Sequence, residues 1–315
     1  MSPARSGNCP LLLGARTGLR AEPARRPAVD PDYAARHGYD PAFLGAGRLA
    51  VPLPKLSAAQ RRQAARMIGR QGRDAALLHY HHFSLVQHAV RRLPFFTAVN
   101  VDGARRPPLP PRADRWVFDP RLPAEAQISP PFSAAIAFDL GPLVRRLAPA
   151  WGDPPDAARR ANDDTFHLTN AAPQHQDFNR SAKLWAGLED YLLDLARAGG
   201  FRVSVFTGPV LADDDPVFAG VAVPLRFWKV VAALTAERRL SATAYLVSQA
   251  EQVAAMVRRG APYGPFRTYQ VRVPEVESLT GLRFGRLGRH DPLALRREPI
   301  RQPVELEDLR QIVVQ

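Results

Sequence analysis

The stretch HLTNAAPQHQDFNRSAKLWAGLEDYLL, residues 167–193, decides the fold. It joins a strand-like segment, a polar loop and a helix-like segment. The letters TFHLTN at 165–170 predict a short strand, and the residues after it predict a loop. Two asparagines, Asn170 and Asn179, belong to this loop.

The second half of the stretch predicts a helix over 181–200. Ser181 is a suitable N-cap, and Gly199–Gly200 ends the helix. The apolar residues recur every three or four positions, as an amphipathic helix requires: Leu184, Trp185, Leu188, Leu192 and Leu195.

Glu189 lies one turn after Trp185, so we expect it at the edge of the buried face. A half-buried carboxylate near loop amides is a candidate Mg²⁺ site, because this ion takes oxygen ligands and keeps several waters. The alternative is an asparagine-rich turn beside a surface glutamate.

The rest of the chain predicts strands and helices without regular alternation, which indicates an α+β fold. A Pro-rich loop at 104–114 interrupts them. The predicted elements are a helix over 58–75, two strands within 83–103, strands at 201–211 and 225–234, and a strand followed by a short helix within 266–284.

The 315 residues carry a net charge of +13, and nearly all the cations are arginines. Arginine binds phosphate through a planar fork, and a basic surface attracts polyanions. A genome bias towards arginine codons is the competing explanation. The charge alone is therefore weak evidence for nucleic acid.

Cys9 is the only cysteine, which excludes an internal disulfide and a cysteine-based zinc site. No apolar run reaches the roughly 18 residues of a membrane span, and the N-terminus does not resemble a signal peptide. These features favour the cytoplasm without fixing the compartment. We expect a flexible basic arm at 1–30, one domain at 31–297 and a tail at 298–315.

The nine residues FDLGPLVRR, 138–146, pair an acidic residue with a glycine turn. This pattern predicts an active-site loop that enters a helix. Leu140 and Pro142, however, offer no proton, charge or metal ligand.

Several blocks, in order from about Tyr33 to Leu293, resemble the DNA/RNA non-specific endonucleases, the ββα-metal or His-Me finger family related to endonuclease G. The most specific block is residues 167–193. The others are GYDPAFLG (38–45), PFFTAVNVDG (94–103), RWVFDPRLP (115–123), VFTGPVL (205–211) and VAVPLRFWKVV (221–231). The resemblance implies a mixed central sheet flanked by helices, and it allows a homodimer.

The resemblance also implies roles for single residues. Asn179 matches the direct ligand of a divalent cation, Mg²⁺ or Mn²⁺, and Glu189 matches the residue that holds metal-bound water. Asn170 matches a residue that supports the scissile phosphate region, and Arg115 matches a phosphate-binding arginine. The implied substrates are DNA and RNA.

The family motif D-R-G-H reads Asp139, Leu140, Gly141 and Pro142 in this chain. In the family, the histidine removes a proton from the attacking water and the arginine supports phosphate or metal geometry. Both side chains are replaced here. Loss of a positioned general base costs about 10²–10⁴ in rate.

Other histidines are candidates for the missing base. His175 is close in sequence to the predicted metal loop, and the alternative for it is a solvated loop residue. His79 and His81 would share one face if their segment were a strand. His167 fits a packing role better.

Three functions remain open at this point. The first is a metal-dependent endonuclease that cleaves DNA and RNA. The second is a catalytically silent homologue that binds nucleic acid or metal, or regulates an active paralogue. The third is a structural or protein-interaction module. Loss of both motif side chains favours the second.

Overall fold

The computed structural model describes residues 33–109, 115–129, 137–153, 155–181, 185–257, 268–296, 300, 302–306 and 311–312. The expected arm at 1–30 lies outside these residues, as do the end of the Pro-rich loop and most of the expected tail. The proposed N-cap of the helix over 181–200 is also untested, because residues 182–184 are not described.

Twelve strands form in the described chain. They are β1 (Leu77–His79), β2 (Phe83–Gln87), β3 (Pro94–Asp102), β4 (Phe138–Pro142), β5 (Ala171–His175), β6 (Arg202–Pro209), β7 (Val217–Phe218), β8 (Val221–Ala222), β9 (Arg226–Leu234), β10 (Leu240–Ser248), β11 (Thr268–Val271) and β12 (Val304–Leu306).

Seven α-helices accompany the strands. They are α1 (Ala58–Gln63), α2 (Pro155–Asp164), α3 (Gln176–Arg180), α4 (Trp185–Ala198), α5 (Ala250–Val257), α6 (Val273–Thr280) and α7 (Pro292–Leu295). In the part of the chain that is described, no helix has the length and apolarity needed to cross a membrane.

Eight strands make one sheet in the order β1-β2-β3-β6-β9-β10-β11-β12, with every neighbouring pair antiparallel. This sheet with its separate helices confirms the α+β class. Alternate residues of β9 enter two different hydrophobic clusters: Phe227 and Val231 face one, and Trp228 and Val230 face the other. The cluster that contains Phe227 also contains Phe138 of β4 and Phe178 of α3, so β4 and α3 pack on that face of the sheet.

Most long strands were predicted correctly. The two strands within 83–103 are β2 and β3, and the segments 201–211 and 225–234 contain β6 and β9. The segment 266–284 contains β11 followed by α6. Gly199 and Gly200 follow the last residue of α4, as expected. Strand β10 has no counterpart among the predicted elements.

The predicted helix over 58–75 is wrong beyond its first six residues. A capping box between Ser57 and Gln60 starts α1, but the helix ends at Gln63. Ala64 then forms a β-bridge with His88, and the Ala65 amide donates to the Gln87 carbonyl over 2.8 Å. Pairing with the chain around β2 therefore overrides the local helix propensity.

The predicted strand at 165–170 is also wrong, since the strand begins at Ala171. Thr165 and Phe166 continue from α2 as a turn, in which the Phe166 amide donates to the Asp163 carbonyl over 3.1 Å. Residues Leu168–Asn170 then form a 3₁₀ turn. The alternating letters reflect a buried turn rather than a strand.

Candidate functional site

The site is built on a two-stranded antiparallel sheet followed by a helix. We call the two strands the hairpin, although residues 143–170 lie between them. Strands β4 and β5 are antiparallel, with Phe138 opposite His175 and Pro142 opposite Ala171. Helix α3 begins directly after β5. The His175 Nδ1 accepts a hydrogen bond from the Asp177 amide over 3.2 Å, which caps this short helix.

The stretch FDLGP is therefore strand β4, and the expectation of a loop that enters a helix is wrong. Residues 143–150 are turns and irregular backbone. The Leu143 amide donates to the Asn170 carbonyl over 2.9 Å, so the chain after Pro142 is held by a tertiary contact instead of a helical ladder.

Gly141 is required by close packing within the hairpin. The buried Gln174 side chain lies over it, and a Cβ at position 141 would overlap the Gln174 amide oxygen. The hairpin thus retains the motif glycine for a steric reason, although its neighbours differ from the family pattern.

Asp139 is held by two residues of α3. Asn179 Nδ2 donates to Asp139 Oδ2 over 2.9 Å. Arg180 donates from Nε to Oδ2 over 2.9 Å and from Nη2 to Oδ1 over 2.7 Å. The Asp139 carboxylate raises the pKa of the Arg180 guanidinium. Asp139 therefore orients the Asn179 amide, whose Oδ1 does not take part in this contact.

The two altered motif positions lie in a regular strand. Leu140 is partly buried and packs against the core on the Phe138 face. Pro142 keeps its register with Ala171 at the end of β4. Residues 140 and 142 alternate with Asp139 and Gly141, so they share the opposite face of the hairpin.

Asn170 is completely buried and binds only main-chain groups in the described contacts. Its Oδ1 accepts from the Val144 amide over 2.9 Å, and its Nδ2 donates to the carbonyls of Val144 at 3.0 Å and Thr165 at 2.8 Å. Asn170 thereby fastens the chain after β4 to the chain before β5.

Glu189 is buried, so the expectation of a half-buried carboxylate at the edge of the buried face is wrong. It is 8% exposed on α4, and its Oε1 accepts a hydrogen bond from Lys229 Nζ over 2.9 Å. Lys229 also donates to Thr207 Oγ1 over 3.1 Å and lies 4.1 Å from the centre of the Trp185 ring. Burial raises the pKa of Glu189 and lowers that of Lys229, while each opposite charge counters the shift.

The Asp139 and Glu189 carboxylates are not free to ligate a divalent cation directly, whereas Asn179 Oδ1, the ligand that the resemblance implies, lies outside the contact with Asp139. Magnesium sites in proteins use one or two carboxylates together with water and substrate phosphates. Both Asp139 oxygens are already bound by Arg180 and Asn179, and Glu189 is paired with Lys229. No group of three or more potential metal-binding His, Cys, Asp or Glu residues occurs within the described ranges.

The remaining candidates lie apart from the Asp139 network. Arg115 is exposed. His167 is buried between Tyr33 and Asp164, which agrees with the packing role. His79 ends β1 and contacts Ser84, whereas His81 lies in a bend and contacts Asp164 Oδ2 at 2.7 Å. These two histidines therefore do not form the shared strand face that was considered.

Burial lowers the pKa of His175, which is only 5% exposed. His175 and Pro142 belong to opposite ends of the hairpin, four pairs apart. At about 3.3 Å per residue this corresponds to about 13 Å along the strands. His175 therefore does not occupy the place of residue 142.

Sequence reasoning missed Lys229 as a member of the site. A signal was present, because Lys229 is one of three lysines and stands in the apolar strand RFWKVVAAL. A buried lysine needs an acidic partner. Its partner, Glu189, is forty positions away and is fixed only by the packing of α4 on the sheet.

Comparison with known proteins finds a family whose sequences match this chain. The sequence profile of the family described as DNA/RNA non-specific endonuclease matches residues 64–289. A Sinorhizobium fredii protein designated y4fB is 37% identical over 290 residues, which are 87% of this chain and 43% of that protein.

Two further relatives have activity in their names. A protein from Nostoc called nuclease is 29% identical over 177 residues, covering 55% of this chain and 60% of that protein. Human mitochondrial endonuclease G is 30% identical over 159 residues, covering 47% and 48%. The chain thus spans about half the length of the curated relatives it matches.

Among solved structures, the crystal structure of the EndoG/EndoGI complex matches with a TM-score of 0.47 and 23% identity. The match covers 69% of this chain and 87% of the other chain.

Proposed function

The chain belongs to the DNA/RNA non-specific endonuclease family, and on that premise we propose that it binds nucleic acid, DNA and RNA alike, but hydrolyses phosphodiester bonds weakly or not at all. One observation carries the proposal. Pro142 occupies the motif's histidine position in a regular strand, in register with Ala171.

The surrounding frame supports this alignment of the motif. Asn179, near the end of α3, binds Asp139 of β4, Gln174 of β5 packs on Gly141, and Asn170 holds the chain after β4. A shift of one residue would exchange the two faces of the hairpin and break these contacts. These contacts support the assignment of Pro142 to the histidine position of the motif.

The chemical consequence is loss of two functions at once. Proline has no side-chain base, and loss of a positioned base costs about 10²–10⁴ in rate. Leucine at position 140 removes a charge-assisted donor to phosphate or to a metal-bound group. The two losses need not add, because residues that act together are not independent.

The carboxylates give the same indication. Asp139 and Glu189 are bound by Arg180 and Lys229, so neither of these two carboxylates is free to ligate Mg²⁺ or Mn²⁺ directly. We assign Asp139 and Asn179 to positioning at the hairpin, and Glu189 to the buried ion pair.

His175 is not proposed as a replacement base. It lies at the far end of the hairpin from residue 142, and its Nδ1 caps α3. Its imidazole also contacts the Phe138 ring, at a centroid distance of 6.0 Å. These contacts support a structural role for His175.

Binding is supported by the charge of +13 and by the exposed Arg115, which lies apart from Asp139. The Arg180 guanidinium is exposed but already paired with Asp139. Guanidinium groups bind phosphate through paired hydrogen bonds. We assign phosphate contact to Arg115.

The test compares binding with cleavage on the same preparation. Gel-shift titrations with duplex DNA and with RNA at low salt are expected to give binding, while supercoiled plasmid with Mg²⁺ or Mn²⁺ stays intact. Plasmid cleavage by the wild type that disappears in Asn179→Ala would overturn the proposal. Failure to bind either nucleic acid would overturn its other half.

A further inference from the structure

Four arginines form an exposed surface beside β1, at one end of the large sheet. We call Arg61, Arg62, Arg66 and Arg70 the arginine edge. All four are exposed. Within the described chain, the side chains of Arg62, Arg66 and Arg70 form no hydrogen bond or ion pair, and the Arg61 guanidinium donates only to the Leu56 carbonyl, over 2.5 Å. Their charges are therefore not neutralised by neighbouring carboxylates.

The sequence around the arginine edge strengthens its charge. Between residues 56 and 77 there are five arginines and one acid, Asp74. An ordinary solvated surface mixes both signs, whereas this segment carries almost only cations. A single-sign field of this kind attracts polyanions.

Two adjoining hollows flank the segment, and Leu77 lines both. The first, of about 730 Å³, is lined by Arg61, Arg62 and Arg66. The second, of about 760 Å³, is lined by Arg70. No carboxylate is among the described residues that line either hollow.

The backbone that carries the arginine edge is fixed by tertiary contacts. After α1, the Met67 amide donates to the Ala75 carbonyl over 2.7 Å, and the Ile68 amide donates to the Arg121 carbonyl over 2.8 Å. Because the main chain is held, the positions from which the four arginine side chains extend are set before a ligand arrives. Such preorganisation lowers the entropic cost of binding.

The second hollow has a rigid wall. The Tyr33 ring lies between the guanidinium groups of Arg36 and Arg121, at 3.9 and 4.0 Å from the ring centre. Arg121 is fixed by Asp119 over 2.7 Å. Its charge is thus paired, so the unpaired cation that Arg70 contributes is the one available to a ligand.

This wall also connects the hollow to the candidate site. The Tyr33 hydroxyl lies 2.9 Å from Nε2 of His167. His167 precedes the 3₁₀ turn that leads into β5, and β5 pairs with β4 where Pro142 stands. The wall of the second hollow therefore contacts the segment that immediately precedes β5.

We propose that the arginine edge binds the phosphodiester backbone of nucleic acid outside the hairpin. This inference rests on the proposed function and adds a second contact surface to it. Each unpaired guanidinium neutralises one phosphate and releases condensed counterions, so its contribution weakens as salt rises. The contacts are to backbone and carry no sequence preference.

The test measures the salt dependence of binding to a fluorescein-labelled 20-base-pair duplex by anisotropy, with EDTA to prevent cleavage. The edge variant changes all four arginines of the arginine edge to glutamine. The control variant removes the same charge from exposed arginines elsewhere, as Arg159→Gln/Arg160→Gln/Arg239→Gln/Arg289→Gln. A third variant, Arg66→Gln/Arg70→Gln, leaves α1 untouched.

The slope of log K against log salt concentration is expected to be shallower in the edge variant than in the wild type by about 3–4, because each phosphate contact contributes about 0.9. Its affinity near 100 mM salt falls at least about 100-fold, and the third variant loses about half as much slope. The control variant falls less than about fivefold. Thermal unfolding checks that all variants are folded.

Two results would overturn the inference in distinguishable ways. Equal losses in the edge and control variants would reduce the effect to overall charge and remove the arginine edge as a site. Wild-type affinity in the edge variant would also overturn the inference, because the arginine edge would then not contact nucleic acid. No binding by the wild type would instead overturn the proposed function together with this inference.

Discussion

Lys229 Nζ lies 2.9 Å from Glu189 Oε1, and both side chains are more than nine-tenths buried. The lysine comes from the centre of the sheet and the glutamate from α4, so the pair joins the helix to the sheet. Thr207 accepts a second hydrogen bond from the ammonium. The carboxylate that the family resemblance assigns to metal-bound water is thus neutralised by the protein itself.

Breaking this pair from one side is expected to destabilise the fold strongly. Lys229→Met leaves a buried carboxylate without its partner, and such losses cost about 3–5 kcal/mol. Lys229→Met combined with Glu189→Met is expected to cost much less than the sum of the two single changes. Urea unfolding of the four proteins measures the coupling.

The Arg145–Asp190 pair provides the matched control, because Asp190 is 54% exposed on the same helix. Asp190→Ala is expected to cost less than about 1 kcal/mol, as for other exposed pairs. Additive effects of the Lys229 and Glu189 changes would contradict the account of the buried pair.

Asn170 is expected to act through stability rather than through phosphate contact. Asn170→Ala orphans main-chain groups of Val144 and Thr165, and each buried group left without a partner costs about 1–3 kcal/mol. Since three such groups lose their partner, we expect a total loss of at least about 3 kcal/mol in urea unfolding. Asn179→Ala, which removes one contact to Asp139, serves as the control and is expected to cost less than about 1.5 kcal/mol.

The packing of Gln174 on Gly141 predicts a second-site rescue. Gly141→Ala places a methyl group against the Gln174 amide, and overpacking costs about 1–3 kcal/mol. Adding Gln174→Ala removes the obstacle. The double variant is therefore expected to be more stable than Gly141→Ala alone in thermal unfolding. A double variant of lower stability would mean that the glycine is required for another reason.

Acidification is expected to destabilise the protein from about pH 7 downward. Burial is the largest cause of a lowered pKa in six described histidines: His79, His82, His88, His167, His175 and His290. The unfolded chain takes up these protons near pH 6.5, whereas the folded chain takes them up only at lower pH. Stability is therefore complete above the unfolded pKa and declines as the pH falls below it.

His167 makes the sharpest test, because it is 1% exposed. The free energy of unfolding of the wild type, measured in urea, is expected to fall between pH 7.5 and 5.5. The His167 proton contributes up to about 1.4 kcal/mol per pH unit to this fall. His167→Gln is expected to flatten the slope. Comparing the two proteins cancels the opposing effect of Glu189, whose raised pKa favours the folded state on acidification. Parallel slopes would exclude His167 as a contributor.

The sequence predicts most of the long strands, with β10 as the exception, and it predicts the site hairpin poorly. Strands such as β3 and β9 are rich in β-branched and aromatic residues, so local propensity and tertiary pairing agree. Strand β5 reads AAPQH, which has little strand propensity, and it forms because β4 pairs with it. This low propensity is why the sequence predicts the strand at 165–170 instead of at Ala171–His175.

The site residues divide in the same way. The contact between Asn179 and Asp139 follows from two local features: β4 pairs with β5, and α3 comes directly after β5. The partner of Glu189 does not follow, since Lys229 reaches it through the packing of α4 on the sheet. Contacts between distant segments leave no periodic pattern in the sequence.

The most direct test of the central claim is plasmid nicking by Leu140→Arg/Pro142→His at a protein concentration that saturates binding, with Mg²⁺ or Mn²⁺ present. The account predicts intact supercoiled plasmid with the wild type and nicked plasmid with the double variant, because the frame of β4, β5 and α3 is retained. Nicking by the wild type at a rate that the double variant does not exceed would contradict it.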